Sequence, residues 1–130
     1  MDLPGTRFFK GDSIYGPWIP REGDNLIFRI EKVDTSPASG SSVEATFTIY
    51  TKDSETTGDG SVISGVSIVI TDGTAQFSEL LIQSVTSGTP FGLDELVRWK
   101  CVVGGDTDGE WLLLRLFPAV FFDDADGTKT

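Results

Sequence analysis

Two fragments, Asp106-Thr107-Asp108-Gly109 and Asp124-Ala125-Asp126-Gly127, place alternate carboxylates ahead of a glycine. This spacing can wrap a hard cation such as calcium, which takes several oxygen ligands. Asp106, Asp108, Asp124 and Asp126 are therefore candidate metal ligands. An EF-hand loop needs a carboxylate at its twelfth position. That position falls on Phe117 for the first fragment and beyond Thr130 for the second. The commoner use of Asp and Gly in such fragments is to make turns. The acidic pairs Asp94/Glu95 and Asp123/Asp124 have the residue types of a glycoside-cleaving acid and base. Adjacent loop carboxylates more often carry solvated charge, and the chain has no histidine to activate a Ser, Thr or Cys nucleophile. No phosphate-cradling glycine loop precedes a helical pattern. The residues thus point away from an enzyme, and no cofactor is expected.

Aromatic side chains are the stronger lead. Trp18, Tyr50, Trp99 and Trp111 are the types that stack on sugar rings. Trp99, however, alternates in step with Val97, Cys101 and Val103, which places it in a core. Burial or contact with another subunit is the commoner fate of such rings. The N-terminal segment sets Phe8, Phe9, Tyr15, Trp18 and Ile19 among Pro4, Pro17 and Pro20. Proline interrupts regular pairing, so this stretch reads as an irregular arm lying either across its own domain or on a partner. Aromatic and Arg anchors carry most of the energy of protein interfaces. Phe8, Phe9, Trp18, Ile19 and Arg21 are accordingly the expected residues of one partner contact, and Phe121 and Phe122 of a second.

The elements that must position these groups are strands. Leu26, Phe28 and Ile30 alternate with Ile27, Arg29 and Glu31, and Val43, Ala45, Phe47 and Ile49 alternate with Glu44, Thr46, Thr48 and Tyr50. Residues 34–42 and 52–64 read as loops, and Val66 to Ile70 as a short strand closed by the turn dipeptide Asp72-Gly73. Between Phe77 and Leu80 the inward parity changes, which predicts a bulge, with a short helix over 77–82 as the rival. Leu93 to Val97 has room for one helical turn. Two apolar runs, Leu96–Val103 and Trp111–Phe122, flank the Gly/Asp segment 104–110 and read as the two arms of a core hairpin. Its second arm is apolar on nearly both faces, which suits a central or covered strand. Pro118 cannot donate to a ladder, so pairing should end or shift there.

These signals predict an all-β protein, a single antiparallel β-sandwich of about seven to eight strands, immunoglobulin-like or jelly-roll. Residues 1–24 form its arm, 25–122 the sandwich and 123–130 a polar tail. The 130 residues suffice for one core without disulfides, and the lone Cys101 falls on a core-facing parity that suits an inert thiol. A formal net charge of −10 argues against nucleic acid as a partner. No apolar run approaches the about 20 residues that span a bilayer, so no membrane partner is expected. The N-terminus has no secretory pattern, so synthesis in the cytoplasm is expected.

Taken together, YGPWIPREGDNLIFRIE (15–31), TIYTKDSETTGDG (48–60) and RLFPAVFFDDADG (115–127) resemble small accessory virion proteins of tailed bacteriophages. The resemblance is in particular to β-sandwich decoration, or cement, proteins of the capsid. It implies a non-enzymatic structural protein that binds the major capsid protein on the outer surface of the shell and stabilises it. Self-association as a dimer or trimer fits the same class. A tail or baseplate component is the nearest alternative, and a carbohydrate-binding module the second. In the decoration reading, loops 52–60 and 106–110 face solvent.

Overall fold

In the structure, a computed structural model, residues 5–23, 25–36, 42–55, 57–82, 95–105 and 109–122 are described. They form strands and no helix: β1 (Thr6–Phe9), β2 (Ser13–Tyr15), β3 (Ile19–Pro20), β4 (Asn25–Thr35), β5 (Glu44–Lys52), β6 (Ser61–Thr71), β7 (Phe77–Ile82), β8 (Leu96–Gly104), β9 (Trp111–Leu116) and β10 (Val120–Phe122). Every pairing is antiparallel. In one sheet β1 pairs with β9, β9 and β10 run in line along one side of β4, and β7 lies along its other side. In the second sheet β2 and β3 run in line along β8, followed by β5 and then β6. We call these the first and second sheets.

If each in-line pair counts as one strand, eight positions result and their pairing is nested. The first pairs with the last (β1 with β9), the second with the seventh (β2 and β3 with β8), the third with the sixth (β4 with β7), and the fourth with the fifth (β5 with β6). That order is the jelly-roll, so the choice left open between two sandwich topologies falls on this one.

The alternations place the core as expected. Leu26, Phe28 and Ile30 from the first sheet meet Val43, Ala45, Phe47, Ile49, Val97, Cys101 and Val103 from the second, all buried. Phe47 is the hub of the aromatic packing, with ring centroids 5.8 Å from Phe8, 5.9 Å from Phe28 and 5.8 Å from Trp99. The Phe8 and Trp99 contacts are edge to face, a geometry that adds to the area the rings bury.

Four expectations are corrected. Leu96–Gly104 and Trp111–Leu116 are not a hairpin, because β8 belongs to the second sheet and β9 to the first. Gly104 and Trp111 thus lie in different sheets, and packed sheets are roughly 10 Å apart. The N-terminal segment is not irregular either: β1 adds an edge to the first sheet, and β2 and β3 add one to the second. Proline is tolerated there because both are edges. Strand β6 begins at Ser61, so it takes in residues expected to be loop, and its register against β5 shifts between Thr48 and Tyr50. Finally, β7 has neither bulge nor helix. Its register along β4 is unbroken from Phe77 opposite Glu31 to Ile82 opposite Leu26, and Phe77 faces out with 61% of its surface exposed. The break at Pro118 does occur as a register shift: β9 ends at Leu116, and β10 resumes with Val120 opposite Ile27.

Candidate functional site

The outward residues of the second sheet fall into rows. One holds Ser13, Val102, Thr46 and Val69, the next Tyr15, Lys100, Thr48 and Ser67, and the next Arg98, Tyr50 and Val62. Tyr15 and Tyr50 meet edge to face, with centroids 5.6 Å apart. The Arg98 guanidinium lies 3.8 Å from the Tyr15 ring centroid and 4.3 Å from that of Trp18, and it donates to Asp59 Oδ1 at 2.8 Å. Its side chain is only 11% exposed. Lys52 Nζ lies 4.7 Å from the Trp18 ring and donates to the Gly58 carbonyl. Lys100 Nζ sits 5.1 Å from the Tyr15 ring and 5.8 Å from the Tyr50 ring.

The loop after β5 holds this arrangement in place. Gly60 has φ +74°, and a Cβ there would lie 2.6 Å from the Thr51 carbonyl oxygen and 2.9 Å from Trp18. A glycine therefore lets the loop close over the indole. Ser54 ties the loop to the start of β8 by donating its N–H and its hydroxyl to Glu95 at 2.9 and 3.1 Å. Lys100 is held above its ordinary pKa, first by its hydrogen bond with the Tyr15 hydroxyl and then by its electrostatic interaction with the Tyr50 side chain. It is fully charged through the neutral range, and among the described residues it forms no salt bridge.

A second feature lies between the sheets. Where β2 gives way to β3 at Pro17, and β9 to β10 at Pro118, a cavity of about 240 Å³ opens, lined among others by Ile19, Leu26, Phe28, Trp99, Leu116 and Ala119. An apolar cavity of about 150 Å³ is enough to take benzene, so this one suits a single apolar ring.

The expected contact residues are dispersed. Phe8 is not a contact residue at all: it is 2% exposed and packs in the core, because β1 turns it inward. Phe9 is exposed on the outer face of the first sheet, opposite Trp111. Trp18 belongs to the cluster on the second sheet, and Ile19 packs against the core. Arg21 is exposed beyond β3, with its backbone N–H bonded to the Glu95 carbonyl. Phe121 turns toward the core, while its neighbour Phe122 has the opposite parity and is half-buried. Alternation along one strand sends neighbours to opposite faces, so residues adjacent in sequence do not make one contact.

The four-ring sugar platform is likewise divided. Trp99 packs on Phe8 and Phe47 inside, and Trp111 lies on the first sheet with the Arg7 guanidinium 4.3 Å from its ring. Trp18 and Tyr50 do stand together on the second sheet. The residue that sequence reasoning missed is Tyr15, together with the cations of β5 and β8, since only the pairing of β2 with β8 joins them.

Of loops 52–60 and 106–110, the described part of the first faces solvent, but Glu110 is 2% exposed and accepts hydrogen bonds from the N–H and hydroxyl of Ser42. Asp106, Asp108, Asp124 and Asp126 lie outside the described residues. Among the described residues no group of three or more His, Cys, Asp or Glu is arranged to hold a metal ion. No family model, curated protein or solved structure matches the chain.

Proposed function

We propose that this chain is a non-enzymatic structural protein of a tailed-bacteriophage virion, attached to the outer surface of the capsid through the major capsid protein and stabilising the shell. The observation that carries this reading is the composition of the second sheet's outer face. Tyr15, Trp18, Tyr50 and Arg98 stand there with the exposed Val62, Val69 and Val102. Tyr, Trp and Arg are the types enriched at protein interfaces, and a fixed Arg between two rings is a ready anchor. The jelly-roll is a fold that viral shells use, which is support by analogy. A tail or baseplate position is the alternative within the same class.

A sugar-binding role is the second reading, favoured by a jelly-roll with Trp18 and Tyr50 on one sheet face. It is weakened by the cations that already lie over these rings, since a sugar must stack on a bare ring face. Quantitative mass spectrometry of gradient-purified particles tests the proposal. A copy number within a few-fold of the major shell protein is expected. A trace amount would move the chain to the tail, and absence from particles would end the virion reading.

A further inference from the structure

We infer that the outer face of the second sheet docks an acidic surface of a partner protein, with Lys52 and Lys100 meeting its carboxylates and Val62, Val69 and Val102 its apolar groups. This deepens the docking reading above and rests on it for the expectation that the chain works as an attached protein.

Charge complementarity is the first argument. In a chain with a formal charge of −10, Lys52, Arg98 and Lys100 share one face, and of the acids beside them Asp59 is paired with Arg98 and Glu95 accepts from the Ser54 N–H and hydroxyl. Glu44 stands at the other end of β5, about 26 Å from Lys52 at about 3.3 Å per residue. Pre-organisation is the second. Two ring faces, one carboxylate and one carbonyl fix Arg98 and Lys52 before any partner arrives, so less side-chain freedom is lost on binding.

The geometry also selects among occupants. Nucleic acid binds by stacking its bases on bare rings, and Trp18 and Tyr15 have cations where bases would stack. A second copy of the chain offers little on its first sheet, because Glu31 there is bonded to Arg115 at 2.9 Å and Glu79 to Arg29 at 3.1 Å. An acidic protein surface with apolar neighbours is what remains.

Carbodiimide cross-linking tests this, since it joins an ammonium to a carboxylate as an amide with loss of water and adds no spacer. The full chain is cross-linked in producing cells and in purified particles, and the linked peptides are sequenced by mass spectrometry. Amides from Lys100 or Lys52 to Asp or Glu of a different protein are expected. The Lys100→Glu variant should lower the yield of that complex by about tenfold or more, while the charge-matched Arg29→Glu on the opposite sheet should leave it within about twofold. Both variants should melt as the parent does. Equal losses in the two variants would overturn the inference, as would links from Lys100 to a second copy, or ultraviolet cross-links of this face to nucleic acid. If the chain is absent from particles yet links through Lys100 to another protein, the virion reading falls and this one stands. If it is abundant in particles while Lys52 and Lys100 stay unlinked and Lys100→Glu attaches normally, the reverse holds.

Discussion

Cys101 is fully buried, and its thiol is pushed up to about 12, by loss of solvation first and by the negative charge of Asp12 second. A thiol that is neither exposed nor ionised does not react. The native chain should resist Ellman's reagent at neutral pH and release one equivalent in denaturant, and labelling of the native protein would contradict this placement. The unfolded thiol ionises near its ordinary value of about 9 and the folded one near 12. The unfolded state is therefore favoured increasingly between those values, and this contribution to stability is lost as pH rises through that window. A Cys101→Ala variant should show a shallower loss of melting temperature there. Gly16 acts by size instead: a Cβ at this position would lie 2.3 Å from Trp99 Nε1. Gly16→Ala should cost about 1–3 kcal/mol, as overpacking of a close contact does, measured as a shift in the denaturant midpoint.

At the scale of elements, the N-terminal strands decide how a contact can be tested. Deleting residues 1–21 would remove Phe8 from the core and strip the edge strands from both sheets, so loss of attachment after such a truncation reports unfolding and not a lost contact. Phe8→Ala should destabilise by about 3–5 kcal/mol, the usual cost of removing a buried ring. Phe77→Ser should change stability by no more than about 0.5 kcal/mol, because its ring sits on the exposed edge strand β7. Comparable losses in the two variants would mean that β1 does not bury Phe8. Edge strands also explain why periodicity misjudged this segment. Three short pieces, interrupted at residues 10–12 and 16–18, are too brief to establish an alternation of their own.

At the scale of the molecule, nesting pairs the first strand with the last sheet position, and most contacts span long stretches of chain. Loop-closure entropy must be overcome before such pairs form, so folding should occur in milliseconds to seconds. A stopped-flow experiment following tryptophan fluorescence would show this, and microsecond folding would be incompatible with the nested order. The formal charge of −10 makes copies of the chain repel one another at pH 7, and the sequence pI of about 4.2 sets the pH at which that net charge vanishes.

From residue types and alternation alone came the all-β class, the inward faces of β4, β5 and β8, the buried thiol and the break at Pro118. Period-two patterning reports which side of a strand is buried, and that holds whatever strand lies beside it. Tertiary structure decided that β8 and β9 face one another across the core, that Phe8 lies inside and that Phe77 lies outside. It also brought Tyr15, Trp18, Tyr50 and Arg98 together from β2, the β2–β3 connection, β5 and β8. The choice of neighbouring strand depends on how distant segments fit across two sheets, and no local run of residues carries that information.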